Sequence, residues 1–213
     1  MTLFNLSGTN SIGNQFMREL RDVEIQKDRM RFRKNLERLG AIMAYEVSKV
    51  LEYKKETVTT SLGSSTINVL KEQPVLITIL RAGLPYHQGF LNFFDQADCG
   101  FIGAYRKEEG EISIQLDYAA CPSLEGRDVI LIDPMLATGK SLVEALSVLL
   151  TKGTPRHLHI ASVVSAPAGL KYIDKHVSIP YAVWVCAEDE TLNSNFYIVP
   201  GLGDAGDLSF GEK

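Results

Sequence analysis

Residues 128–141 read DVILIDPMLATGKS, an apolar run that stops on the carboxylate of Asp133 and continues into a loop of small and hydroxyl residues. The run consists of Val, Ile and Leu, which is typical of a strand buried on both faces of a parallel sheet. Apolar residues recur at helical spacing after the loop, at Leu142, Ala145, Leu146 and Leu149. This succession of strand, acid, loop and helix predicts an α/β fold with parallel strands.

The loop from Ala137 to Ser141 predicts a phosphate site. Its small residues let several backbone N–H groups point inward, and the following helix adds the positive end of its dipole. Asp133 precedes the loop, where its carboxylate can reach the hydroxyls of a sugar whose 5-phosphate lies in the loop. The implied ligand is a phosphorylated ribose.

The P-loop of nucleoside triphosphatases is an alternative interpretation, because Lys140 and Ser141 follow a glycine. That motif requires another glycine five residues before the Gly-Lys pair. Pro134 occupies this position, and proline has neither an N–H group nor a freely variable φ. The sequence therefore excludes this class.

The rest of the chain alternates predicted strands and helices, which favours a parallel sheet with helices packed on it. A helical stripe runs through residues 32–53, and residues 57–70 predict a hairpin with its turn at residues 62–65. Further strands are predicted at 74–80, 101–105, 112–116, 158–164 and 181–186, and a further helix at 168–175. The length of 213 residues suits a single domain spanning residues 1–213.

Three segments resemble one known family. Residues 133–139 resemble the phosphoribosyl-diphosphate (PRPP) motif of type I phosphoribosyltransferases, in the form found in uracil phosphoribosyltransferases. Residues 79–84, ILRAGL, resemble the pyrophosphate loop of that family, and residues 197–207, YIVPGLGDAGD, resemble its uracil-binding segment. The motifs occur in the family's order, and the likeness extends from about residue 13 to the last residue.

The resemblance implies a type I phosphoribosyltransferase fold, an α/β architecture with a central, mainly parallel sheet flanked by helices. It also implies a flexible β-hairpin hood over residues 105–118 and a base-binding loop over residues 197–207. Residues 1–31 form an N-terminal arm in this interpretation. The dense, mixed charges of residues 12–31 predict a solvated helical face or a subunit contact.

The reaction implied by the resemblance transfers the 5-phosphoribosyl group from PRPP to uracil, giving UMP and pyrophosphate in the presence of Mg²⁺. The implied catalytic residues are Arg81 and Arg106, which supply positive charge at the departing pyrophosphate, and Asp204, which holds metal-bound water or helps to remove a proton from uracil. The implied PRPP-binding residues are Arg81, Ala82, Gly83, Arg106, Asp133, Met135, Ala137, Thr138, Gly139, Lys140 and Ser141, and the implied uracil-binding residues are Tyr197, Ile198, Gly203 and Asp204.

The chain departs from the family pattern at several positions. Lys140 replaces a glycine of the phosphate loop, so its side chain would contact the phosphate or point outward, and its backbone would be strained if the position required positive φ. Residues 85–87, PYH, stand where small or Met residues are usual, which leaves the shape of the pyrophosphate side open. Leu208 replaces a basic residue, and Gly110 replaces a threonine of the hood.

Two other functions stay open at this point. The first is a transferase for another base or a uracil analogue, which would follow from a reshaped pocket around residues 85–87. The second is a PRPP- or UMP-sensing regulatory protein of the same fold with RNA affinity. A net charge of -4 and a pI near 5.6 argue against a nucleic-acid partner, because such binding works through clustered cations.

The remaining features bear on location and assembly. Three cysteines without CxxC spacing predict neither a disulfide framework nor a zinc site, which fits a reducing cytoplasm. No stretch approaches the ~20 apolar residues of a membrane span, so a soluble, unprocessed protein without a membrane partner is expected. The charged N-terminal arm and family precedent favour a homodimer or higher homo-oligomer, and the family also brings in GTP as a candidate effector.

His157 and His159 alternate along the start of a predicted strand, so their side chains are expected on one face. The favoured interpretation is a pair of ordinary edge histidines rather than metal ligands, because no carboxylate or cysteine pattern accompanies them.

Overall fold

The structure, a computed structural model, describes residues 2–107 and 113–212. Its strands in chain order are β1 (Thr2–Asn5), β2 (Tyr53–Thr60), β3 (Gly63–Leu70), β4 (Val75–Leu80), β5 (Cys99–Lys107), β6 (Ser113–Ala120), β7 (Asp128–Ile132), β8 (Met135–Leu136), β9 (His157–Ser165), β10 (Tyr181–Glu188), β11 (Thr191–Leu192) and β12 (Ile198–Val199). Its α-helices are α1 (Ile12–Arg21), α2 (Arg29–Ser48), α3 (Gly83–Leu91), α4 (Lys140–Leu149), α5 (Pro167–His176) and α6 (Ala205–Phe210).

The main sheet has the strand order β1-β10-β9-β7-β4-β5-β6, with β8 beside β9. Its strands pair in parallel, apart from the antiparallel pair of β5 and β6. The prediction of a central, mainly parallel sheet is therefore confirmed. Because the strands are parallel, the carboxyl ends of β4, β7, β9 and β10 lie at one edge, where α/β proteins bind their ligands.

Both faces of the sheet are covered by helices. On β4, Val75 and Ile77 belong to one buried apolar cluster with residues of α4 and α5, whereas Leu76 belongs to another with residues of α1, α2 and α3. Burial on both faces explains why this strand is apolar at every position except Thr78. Trp184 of β10 is only 6% exposed and belongs to the core.

Several predicted boundaries were wrong. The long helix covers residues 29–48 instead of 32–53, because the carboxylate of Asp28 caps its start by accepting a hydrogen bond from the Arg31 N–H at 3.0 Å. The hairpin of β2 and β3 turns at residues 61–62, since Gly63 is already paired with Thr60. The edge strand β1 was not predicted at all, and it adds in parallel to β10.

The solvated face predicted for residues 12–31 applies to one side of this segment only. Met17, Glu19 and Leu20 are buried. The Glu19 carboxylate accepts hydrogen bonds from Arg31 and Asn35 of α2, at 2.9 and 2.8 Å, and these bonds lower its pKa to about 2. The charges of the N-terminal segment therefore serve partly to attach α1 to α2.

The described residues of the segment predicted as a hood lie at the end of β5 and in β6. These strands pair in an antiparallel register that sets Arg106 opposite Ile114. Residues 108–112 of the predicted hood, including Gly110, lie outside the described residues. Within the described residues, no helix is long and apolar enough to cross a membrane.

The two histidines of β9 do share a face, with ring centroids 4.7 Å apart. The interpretation as edge histidines is wrong for His159, which is 3% exposed and accepts a hydrogen bond from the Trp184 indole N–H at 3.2 Å. Burial lowers the pKa of His159 to about 4. Among the residues that the structure describes, no group of three or more His, Cys, Asp and Glu side chains could hold a metal ion.

Candidate active site

Two of the predicted motifs lie side by side at the carboxyl edge of the sheet. Strands β4 and β7 are parallel neighbours, with Thr78 paired to Ile132. Arg81 directly follows the end of β4 and Asp133 directly follows the end of β7. The structure therefore brings together the two loops that the sequence analysis assigned to pyrophosphate and to the phosphate.

The phosphate loop gets its shape from Gly139. This residue has φ 76°, a left-handed conformation, and it immediately precedes α4. A Cβ on Gly139 would lie 2.8 Å from the carbonyl oxygen of Gly169 in α5, so the loop and α5 approach each other closely here. The positive φ considered for Lys140 belongs to Gly139 instead, and Lys140 is the first residue of α4 with its side chain exposed. The prediction of backbone strain at Lys140 was therefore wrong.

A small cavity of about 30 Å³ opens at this loop. The Asp133 carboxylate accepts a hydrogen bond from the Met135 N–H at 3.4 Å, and the Asp133 N–H donates to the Ala161 carbonyl of β9 at 3.1 Å. The lining residues are Asp133, Met135, Leu136, Ala137, Thr138, Gly139, Ser141 and Leu142. Most of the predicted PRPP-binding residues of this segment thus surround one cavity, while the Lys140 side chain does not line it.

The loop predicted to bind pyrophosphate begins with a cis peptide bond between Leu80 and Arg81. Gly83 opens α3, and a Cβ there would collide with the hydroxyl of Thr78. The Arg81 guanidinium donates hydrogen bonds to the Asp207 carboxylate at 3.0 Å and to the Gly211 carbonyl at 3.3 Å. Arg81 therefore connects the pyrophosphate loop to the C-terminal segment, and the third motif joins the first two.

The unusual residues 85–87 after the pyrophosphate loop are all buried in α3. The Tyr86 hydroxyl donates to the Ser162 carbonyl of β9 at 3.4 Å. His87 packs against Phe101 of β5 with ring centroids 5.5 Å apart, and burial lowers its pKa. These side chains belong to the packing of α3 on the sheet.

The predicted base-binding loop is held by strands and a helix cap. Ile198 is buried and pairs with Leu192, whereas Tyr197 is 42% exposed. A cis peptide bond precedes Pro200, and Gly203 has φ 88°. Asp204 caps α6: its Oδ1 accepts hydrogen bonds from the N–H groups of residues 206 and 207, at 2.8 and 3.0 Å.

Arg106 lies on β5, within the predicted hood. Its side chain lies outside the described part of the structure, so its predicted contact with pyrophosphate stays a prediction. Leu208, the other departure near the base loop, is half-buried against the core formed with α1, α2 and α3.

Sequence reasoning missed two residues that support the base-binding loop. Asp189 directly follows β10, and Arg21 ends α1. Their side chains form a bidentate ion pair with N–O distances of 2.7 and 2.9 Å. Asp189 could have been found by the argument that identified Asp133, because it is an acid directly after a buried strand. No local signal identifies Arg21, which lies 168 residues earlier in the chain.

A mainly parallel α/β sheet with an acid-led loop and an arginine-bearing loop on neighbouring strand ends is the arrangement expected of a type I phosphoribosyltransferase. The sequence model of the uracil phosphoribosyltransferase family matches residues 10–212 of the chain. The protein therefore belongs to the uracil phosphoribosyltransferase family, and the family and fold inferred from the sequence are confirmed.

Individual relatives agree with this assignment. A uracil phosphoribosyltransferase of Porphyromonas gingivalis is 47% identical in an alignment covering 100% of both chains. One from Pyrococcus furiosus is 35% identical, and the alignment covers 93% of this chain and 85% of the relative. The solved structure of the AQ2163 protein from Aquifex aeolicus has a TM-score of 0.88 and 32% identity, covering 99% of this chain and 98% of that chain.

Proposed function

We propose that this protein transfers the 5-phosphoribosyl group of PRPP to uracil, giving UMP and pyrophosphate, as a step of pyrimidine salvage. Full-length identity of 47% to a uracil phosphoribosyltransferase is the single observation that carries the conclusion. The site supports it, because a phosphate loop, an acid and an arginine lie at adjacent strand ends.

We assign the ribose 5-phosphate to the loop of residues 137–141, whose backbone amides stand before the positive end of α4. The hydroxyls of Thr138 and Ser141 add donors, and Lys140 contributes its backbone N–H while its side chain faces solvent. Asp133 accepts hydrogen bonds from the ribose hydroxyls. This arrangement fixes the sugar relative to the sheet.

The departing pyrophosphate requires positive charge, because negative charge grows on it as the bond to ribose C1 breaks. Arg81 supplies that charge beside the backbone of Ala82 and Gly83, and Arg106 adds a second cation from the hood side. Neither residue forms a covalent intermediate, so catalysis consists of positioning and electrostatic stabilisation. When pyrophosphate binds, it either replaces Asp207 as the ion-pair partner of Arg81 or binds Arg81 together with Asp207.

Uracil is assigned to the loop of residues 197–204. Main-chain groups of Ile198 and Gly203 face the polar edge of the base, and Tyr197 lies beside it. A backbone that is fixed in place distinguishes uracil from cytosine, because a mismatched donor or acceptor would be left unpaired. Asp204 acts at the same end of the loop, on the N1 proton or through metal-bound water.

The donor set fits Mg²⁺, which binds through one or two carboxylates together with substrate phosphates and water. Asp204 would hold it through a water molecule, since the helix cap uses only Oδ1 of this carboxylate. When bound, Mg²⁺ neutralises charge on the phosphate oxygens of PRPP.

We further infer a cytoplasmic homodimer or higher homo-oligomer, and GTP is the effector to test first. The three cysteines are free thiols, and burial raises the pKa of Cys186 to about 12. Thiols without disulfide partners support a reducing compartment. Size-exclusion chromatography with light scattering tests the assembly, and initial rates with and without GTP test the effector.

The decisive experiment measures UMP formation from uracil and PRPP with Mg²⁺. Wild type is expected to be active, and Asp133→Asn is expected to lose most of the activity because the ribose hydroxyls lose a charged acceptor. Asp128→Asn is the matched control, since Asp128 lies at the opposite end of the same strand. A folded wild type that forms no UMP would overturn the proposed function.

Two further measurements distinguish the alternative functions. A panel of bases with PRPP identifies a transferase of different specificity. Binding of RNA without turnover of any base would instead favour the regulatory protein.

A further inference from the structure

The centre of the base-binding loop is held by an ion pair outside the substrate site. Asp189 accepts a hydrogen bond from the Gly201 N–H at 2.9 Å, and Arg21 donates one to the Gly201 carbonyl at 2.8 Å. The two side chains are joined to each other by hydrogen bonds of 2.7 and 2.9 Å. Both backbone groups of Gly201 are therefore fixed by one bidentate pair.

This pair is anchored to the rigid part of the fold. The Asp189 N–H donates to the Ser165 carbonyl at the end of β9, at 2.8 Å, and the Asp189 side chain is only 5% exposed. Arg21 is the last residue of α1. The amide of Gln26, in the orientation that satisfies its neighbours, also donates to the Leu202 carbonyl at 2.8 Å. The end of α1 and the segment that follows it thus hold two successive residues of the loop.

Gly201 needs such support because a glycine backbone can adopt many conformations. It has φ 60°, and glycine reaches this region without steric penalty but also leaves it easily. A bidentate arginine–carboxylate pair is among the strongest and most directional contacts available. Removing one partner of a buried pair leaves the other charge uncompensated.

We propose that Arg21 and Asp189 are positioning residues for base recognition. They hold Gly201 between Ile198 and Gly203, whose main-chain groups we assigned to uracil, and this role rests on the proposed function. Recognition by backbone groups requires a loop fixed to within roughly 0.5 Å. The prediction is that loosening this pair weakens uracil binding and leaves the PRPP site, on other strands, intact.

The test compares Arg21→Lys with wild type in steady-state kinetics. Lysine keeps the positive charge but lacks the planar fork that bonds Asp189 and Gly201 together. The KM for uracil is expected to rise about tenfold, as for the loss of one charge-assisted hydrogen bond, with the KM for PRPP unchanged. Arg156→Lys is the matched control, because it breaks the bidentate pair with Asp128 at the amino end of β7.

Asp189→Asn is the second variant, because its amide oxygen can still accept from Gly201 while the ion pair is lost. Hydrogen exchange of the peptide covering residues 197–203 provides a readout that needs no activity, and exchange is expected to accelerate in both variants. Equal rises in both KM values, or an unchanged KM for uracil, would overturn the positioning role while the proposed function stands. A wild type that uses no uracil overturns both.

Discussion

At the scale of single residues, Asp204 has a structural role as a helix cap and a proposed chemical role in the reaction. Its Oδ1 caps α6, and the proposed reaction uses the same carboxylate on metal-bound water or on the N1 proton. Substitution by asparagine separates these roles, because the amide oxygen still caps the helix while the negative charge is lost.

Asp204→Asn is therefore expected to lower kcat about 100-fold, the range of general acid–base effects, with little change in PRPP affinity. Rapid-quench turnover and isothermal titration with PRPP measure the two quantities. Asp28→Asn is the control, since Asp28 caps α2 in the same way far along the chain. Unchanged turnover in Asp204→Asn would rule out the chemical role.

Gly139 is the residue on which the phosphate loop depends. Gly139→Ala forces a side chain into a left-handed conformation, at about 1–2 kcal/mol, and places its Cβ against the Gly169 carbonyl. The KM for PRPP is expected to rise because the loop must shift.

Gly126→Ala provides the comparison. Gly126 has φ 67°, but a Cβ there meets no atom within 4 Å. Gly126→Ala should lose the stability that the left-handed backbone costs, Gly139→Ala should lose more in urea unfolding because its Cβ also meets a backbone oxygen, and only Gly139→Ala should weaken PRPP binding. A normal KM for PRPP in Gly139→Ala would show that the loop tolerates the shift.

At the scale of elements, the protonation state of His159 on β9 affects the packing of β9 against β10. Its Nδ1 accepts the Trp184 N–H across the pair of β9 and β10, so the neutral ring is the form that fits. Burial, with a smaller contribution from His157, lowers its pKa from 6.5 to about 4, while Asp128 acts in the opposite direction.

The free energy of unfolding is therefore expected to fall as the pH drops from about 6.5 towards 4. In that range His159 is protonated in the unfolded chain but stays neutral in the folded protein. The full difference corresponds to about 3 kcal/mol. Urea unfolding followed by the fluorescence of Trp184, the single tryptophan, measures it. His159→Gln should flatten the pH dependence, and His176→Gln, at an exposed position, should not. An unchanged slope in His159→Gln would assign the effect to other groups.

At the scale of the whole molecule, features formed by consecutive residues could be predicted from the sequence, whereas contacts between residues far apart in the chain could not. The unit of residues 128–141 was predictable because strand, acid, loop and helix are consecutive. Family resemblance supplied the other two motifs. The pairing of Arg21 with Gly201 spans 180 positions and depends on how α1 packs, so no pattern in the chain contains it. Likewise, only the backbone shows that Gly139 rather than Lys140 adopts positive φ.

Ligand binding should stabilise the whole fold, since the proposed PRPP site joins loops from separate strands. At 100 times its Kd, PRPP with Mg²⁺ should add about 2.7 kcal/mol. For a chain of this size that corresponds to a rise in Tm of roughly 5–10 °C. Differential scanning fluorimetry measures the shift.

Two neighbouring variants make this prediction specific to the proposed site. Asp133→Asn should lose most of the shift, because the ribose hydroxyls lose their charged partner. Lys140→Ala should retain it, because its side chain is exposed and does not line the cavity at the loop. Loss of the shift in Lys140→Ala together with a normal shift in Asp133→Asn would mean that phosphate binding depends on the lysine charge. The assignment of Asp133 to the ribose would then be wrong.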